Sequence, residues 1–103
     1  MNKGKEFNNL VRFLQKNGNI ESHSDYVSYE YDTIHNSTLI YNSKFKYISV
    51  IIDYNLVYHI RDSKLIKLLK EMIKELDNYS LFDNEEIKKL EVFKKVFEEI
   101  EES

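Results

Sequence analysis

The side chains most able to do chemistry are three histidines, His23, His35 and His59, in a chain with no cysteine. The missing cysteine removes thiolate nucleophiles, disulfides and thiolate-bound zinc. None of the histidines stands in an HxH or HExxH spacing, so a metal site would need folding to bring them together beside a carboxylate. Surface histidines are the simpler reading. Asp32, Asp53 and Asp62 fall at strand ends or a helix start, where turn and cap chemistry accounts for them. A Ser–His–Asp triad has no GxSxG elbow to recommend it. Gly4 and Gly18, the only glycines, cannot build a phosphate loop. No catalytic residue, metal ligand or cofactor is expected.

The tyrosines are a more pointed signal. Seven of the eight lie between Tyr26 and Tyr58, within a stretch rich in Ile and Val that Asn, Asp and Ser interrupt at turn-like intervals. It reads as four antiparallel strands at about 25–32, 37–42, 45–52 and 56–60. In the first, alternation sorts Val27, Tyr29 and Tyr31 from Tyr26, Ser28 and Glu30. The third is apolar on both faces. A three-residue loop, Asp53–Tyr54–Asn55 with Asn55 left-handed, would pair Ile52 with Leu56, Val50 with Tyr58 and Ile48 with Ile60. Those six then form one aliphatic face. Tyr47, Ile51, Val57 and His59 turn the other way, joined by Leu39, Tyr41 and Phe45. Either a helix covers that second face, or it is a binding surface.

Helices flank the strands. Over residues 5–16, Phe7, Leu10, Val11 and Leu14 form an amphipathic stripe, and Lys16-Asn17-Gly18 reads as its stop, with a residue able to take positive φ. Residues 19–24 read as a loop. A second helix spans 63–77, capped by Asp62 or Ser63, with Lys64, Lys67, Lys70 and Lys74 off its apolar face. Asp77–Ser80 breaks it. The third spans about 84–101, with Asp83 and Glu86 as a capping box. The fold class is α+β in the order α-β-β-β-β-α-α: a four-stranded meander in a single domain, residues 1–103.

No secretory leader or membrane span is apparent, so a soluble cytoplasmic protein is expected. The net charge is −3. Residues 21–62 hold six acids and three bases, which argues against nucleic acid on the aromatic face. Glu98, Glu99, Glu101 and Glu102 crowd the end of the last helix, where they oppose its dipole. With Glu30 and Asp32 they supply acidic surface for a basic partner.

These features point to a small non-enzymatic protein-binding protein or inhibitor. Its expected contact residues are Tyr41, Phe45, Tyr47, Ile51, Val57, Glu30, Asp32, Glu98, Glu99 and Glu102. A homo-oligomer is a further expectation. The abundance of Lys, Asn, Ile and Tyr fits an AT-rich genome, such as that of a phage or mobile element. Small acidic α+β inhibitors of nucleic-acid enzymes, anti-CRISPR proteins among them, are similar in size and charge, although no motif matches one. Two alternatives stand beside this reading. One is a single-stranded nucleic-acid module using the sheet tyrosines and the 63–77 lysines. The other is a small enzyme using Asp and His side chains.

Overall fold

A computed structural model describes residues 2–77 and 82–102. Its elements are α1 (Lys5–Asn17), β1 (Asn19–Ser22), β2 (Val27–Asp32), β3 (Ser37–Asn42), β4 (Tyr47–Ile52), β5 (Asn55–Ile60), α2 (Ser63–Lys74) and α3 (Asn84–Glu101). The layout is α+β, with one antiparallel sheet in the order β1-β2-β3-β4-β5. The sheet has five strands rather than four. β1 occupies the segment read as a loop, pairing Asn19 with Glu30 and Ser22 with Val27. All four of its residues are exposed, so backbone hydrogen bonds hold it and no apolar alternation announces it.

Three turns set the strand boundaries. Asn36 and Lys46 take positive φ, at 54° and 56°, and Asn42 Oδ1 accepts the backbone N–H of both Lys44 and Phe45. Phe45 therefore sits in the turn before β4, not in the strand. Between β4 and β5 the loop is two residues, Asp53 and Tyr54, at φ 51° and 66°. This double left-handed turn matches strand twist. Asn55 is the first residue of β5 and pairs with Ile52.

The expected pairs Val50–Tyr58 and Ile48–Ile60 form, but Ile51 pairs with Leu56. Val57 is the extra residue of a bulge, which lets a two-residue turn coexist with the register further down the strand. The bulge also exchanges two side chains between faces. Leu56 is 61% exposed, whereas Val57 packs against the core.

All three helices lie on the other face of the sheet. Phe7, Leu10 and Leu14 of α1, Ile66 and Leu69 of α2, and Leu90, Phe93 and Val96 of α3 meet Leu39, Tyr41, Ile48, Val50, Ile52 and Ile60 in one core. Phe93 touches Tyr58 and Phe97 edge to face. Asp62 caps α2 by accepting the Lys64 N–H, and Asp83 caps α3 by accepting the Glu86 N–H. α2 ends at Lys74, earlier than expected. Of the break at Asp77–Ser80, residues 78–80 lie outside the described residues.

The start of α1 docks on the start of α2. Ser63 Oγ accepts the Phe7 N–H at 2.9 Å, and the Ser63 N–H donates to the Lys3 carbonyl at 2.8 Å. Gly4, at φ 95°, lies so close that a Cβ there would come within 2.6 Å of Ser63 Cβ. Gly18 has φ −79°, in the extended region, contrary to the left-handed stop expected. Space requires it instead, because a Cβ would stand 2.6 Å from the Leu14 carbonyl oxygen.

Candidate functional site

Alternation and the bulge together leave one face of the sheet without a helix. Ile40 of β3, Tyr47, Ser49 and Ile51 of β4, and Leu56 of β5 line a shallow trough of about 400 Å³ on it, together with Glu21, His23, Tyr26, Ser28, Glu30 and Asn42. Phe45, 63% exposed, stacks beside Tyr47 with ring centroids 6.3 Å apart. Tyr47 in turn lies 4.1 Å from the His59 ring. Of the aromatic and aliphatic residues expected on this face, Phe45, Tyr47, Ile51 and His59 lie there or at its rim. Tyr41 and Leu39 do not. Both are buried under the helices, where Tyr41 meets Phe7 at 6.4 Å and Tyr29 at 6.2 Å. Burial pushes the Tyr41 hydroxyl's pKa up. Val57 also faces the helices, lining a cleft with Val92, Lys88 and Glu85 of α3. The apolar residues that sequence reasoning missed on the open face are Ile40, which takes the place expected of Leu39 and Tyr41, and Leu56. Only a bulge exchanges it with Val57, and no residue type marks that bulge.

The expected acidic residues separate into different environments. Glu30 lines the trough. Asp32 accepts a hydrogen bond from the Thr38 hydroxyl on the neighbouring strand. Glu99 is built into the fold: Oε2 accepts the Tyr31 hydroxyl at 2.5 Å and Oε1 accepts the Ile34 N–H at 3.1 Å. Glu101 pairs with Lys70 at 3.2 Å. Glu98 and Glu102 are exposed, but α3 belongs to the helical layer, so they share no surface with Glu30. The same geometry divides the lysines of α2 from the sheet aromatics. In addition, Lys70 and Lys74 are engaged, with Glu101 and Glu71 respectively.

Acid–base groups meet in three places. His23 Nε2 lies 3.2 Å from Ser28 Oγ, with the imidazole stacked on Tyr26 at 4.2 Å. Among the described residues no carboxylate is hydrogen-bonded to that imidazole, so this Ser–His pair has no orienting third member. Asp32 and Asp53 line a separate cleft of about 330 Å³ with Thr33, Asn36, Ser37, Thr38 and Tyr54, and no imidazole lines it. His35 lies by Glu99, its Nε2 3.8 Å from Oε1. Among the described residues no group of three or more His, Asp or Glu converges as a metal cluster, and no helix is long and apolar enough to cross a membrane.

No protein-family model, curated protein or solved structure matches this chain.

Proposed function

We propose that this chain is a small non-enzymatic module that binds another protein through the uncovered face of its sheet. One observation carries the reading. Ile40, Tyr47, Ile51 and Leu56 lie side by side across three strands, and no helix packs on them. A contiguous apolar strip rimmed by polar groups is the usual mark of an interaction surface. The small side chains Ser28, Ser49 and Asn42 between the rings keep the trough open. Glu21 and Glu30, at its β1–β2 side, favour a partner presenting basic residues there. That no carboxylate among the described residues orients the His23–Ser28 pair weighs against catalysis. Size, acidity and AT-rich residue usage make an inhibitor of a nucleic-acid-handling enzyme, such as a CRISPR effector, carried by a phage or mobile element, the concrete form of the reading.

The test is Ile51→Glu combined with Leu56→Glu. Neither residue belongs to the buried core, so the melting temperature should stay within a few degrees of wild type. Recovery of a specific protein from host lysate by the wild-type chain should be lost in the variant. Recovery of the same protein by both would refute the reading.

A further inference from the structure

The uncovered face is electrically divided. Its β1–β2 side holds Glu21 and Glu30, and no Lys or Arg lines the trough there. Across the sheet from them, where β4 begins and β5 ends, Lys3, Phe45, Tyr47, His59 and Arg61 line a cleft of about 330 Å³ with no acid among them. We propose that this corner binds ligands of the nucleotide class, with a planar base stacked on the Phe45 and Tyr47 rings and its phosphate held by Lys3 and Arg61.

Strand register builds the site. Ile48 pairs with Ile60, so Tyr47 and Arg61 continue the ladder as neighbours. The Lys3 Nζ donates to the Arg61 backbone carbonyl at 2.8 Å and lies 5.4 Å from the Phe7 ring centroid, which holds the ammonium at the end of β5 with further N–H groups to donate. Among the described residues the Arg61 guanidinium has no acidic partner. The Phe45 and Tyr47 rings lie within 19° of parallel, with the His59 ring 4.1 Å from Tyr47 and the Lys44 ammonium 5.4 Å from the Phe45 centroid, so a base would stack on the ring faces these leave open. Such stacking accepts any base, because every base has a π-face. His59 Nε2 adds an orphaned polar atom, buried and without a hydrogen-bond partner, in the wall of this cleft. Buried nitrogens seldom lack a partner.

Two features favour this ligand over a protein segment at the corner. The aliphatic residues of the face, Ile40, Ile51 and Leu56, line the trough and not this cleft. The net acidity of residues 21–62, which disfavours phosphate when summed along the chain, does not describe the corner. Glu21 and Glu30 line the trough and not this cleft, Asp25 is paired with Lys44, Asp62 accepts the Lys64 N–H as the α2 cap, and Lys3 arrives from outside that segment.

The experiment follows backbone amide resonances by NMR during titration with AMP, adenosine, inorganic phosphate and a 5′-phosphorylated thymidine pentamer. AMP should shift the amides around 45–47 and 59–61 in a saturable way, and adenosine and phosphate should each bind about tenfold more weakly. Phe45→Ala and Arg61→Glu alter exposed side chains and should leave the melting point unchanged. Each should weaken AMP binding by about tenfold. Tighter binding of the pentamer than of AMP would identify a strand end as the source of the nucleotide; equal binding would identify a free nucleotide.

Four results would each overturn the assignment. The first is no shift at about 10 mM AMP. The second is inorganic phosphate binding as tightly as AMP. The third is AMP binding indifferent to both substitutions. The fourth is a glutamate-rich peptide saturating the same amides at lower concentration than AMP, which would assign the corner to a protein ligand. The partner sought in the lysate does not enter the titration, so its outcome is independent of the Ile51 and Leu56 test.

Discussion

Removing the Tyr31 hydroxyl tests whether Glu99 is structural or belongs to an acidic surface. Tyr31 lies on the helix-facing side of β2, its ring 5.0 Å from Phe13 and its hydroxyl 2.5 Å from Glu99 Oε2. That hydrogen bond, then burial and the carboxylate's charge, push the Tyr31 pKa up to about 12 from 10. The folded state thus prefers the neutral phenol. The resulting stability is complete below pH 10 and is lost as pH rises from 10 towards 12. Two pKa units correspond to about 2.7 kcal/mol of preference for the phenol over the phenolate; at pH 7, where the hydroxyl is neutral in both states, its removal costs only the partly screened hydrogen bond to the carboxylate, about 1–1.5 kcal/mol. In a domain of this length that lowers the melting temperature by roughly 5–10 °C.

Urea unfolding of Tyr31→Phe, followed by circular dichroism, should show that loss at pH 7. It should also show a shallower fall in stability than wild type across the alkaline range. Tyr41 and Tyr58 are raised as well, so the variant should still weaken there, only less steeply. In a Glu99→Ala background the same substitution should cost much less. Equal stability of Tyr31→Phe and wild type at pH 7, or full additivity with Glu99→Ala, would refute the structural assignment.

Other substitutions probe the turns, the helix junction and the charged helix end. Tyr54 is fully exposed at φ 66°, so Tyr54→Gly should raise stability by about 0.5–1 kcal/mol, read from the urea midpoint. Gly4→Ala combines a φ of 95° with a clash on Ser63; it should cost about 2 kcal/mol or more and loosen the amide protection of Phe7 in hydrogen exchange. Glu98→Lys with Glu102→Lys should be neutral or stabilising by about 0.3–1 kcal/mol each, since both anions oppose the α3 dipole. Unchanged partner recovery by that double variant would leave solubility as their role.

The helices were legible because each needs an apolar stripe at helical spacing, and Phe7, Leu10 and Leu14 of α1 and Leu90, Phe93 and Val96 of α3 are buried as expected; in α2 the face expected from Leu65, Leu68, Leu69, Met72, Ile73 and Leu76 is rotated, with Leu68 exposed and Ile66 in the core. Four strands were legible for the matching reason. β1 was not, because Asn19–Ser22 buries nothing and a purely backbone-paired edge leaves no trace in residue type. The face of β3 was misread because Leu39, Ile40 and Tyr41 are all apolar. Such a run says that both faces carry apolar residues without saying which of them meets the core. Leu56 and Val57 exchanged roles through a bulge that neither apolar side chain announces. For the candidate site, Phe45, Tyr47 and Ile51 were readable as one exposed set, but Glu99 was not separable from its neighbours. A carboxylate that joins Tyr31 and Ile34 looks, along the chain, like the rest of a charged run.

By itself the sequence determined the α+β class, the order of the three helices and of four of the five strands, the α3 cap at Asp83, and the absence of any cysteine or glycine-loop chemistry. Each of these follows from residue type and short-range spacing. The tertiary structure decided everything that depends on which face meets which: the three helices on one side of the sheet, Tyr41 in the core, Leu56 in the open trough and Glu99 turned inward. It also set the division of charge, with Glu21 and Glu30 at one side of the open face and Lys3 and Arg61 at the other. Charge summed along a chain averages over such distances. The field a ligand meets falls off over about 10 Å, so only the folded arrangement determines it.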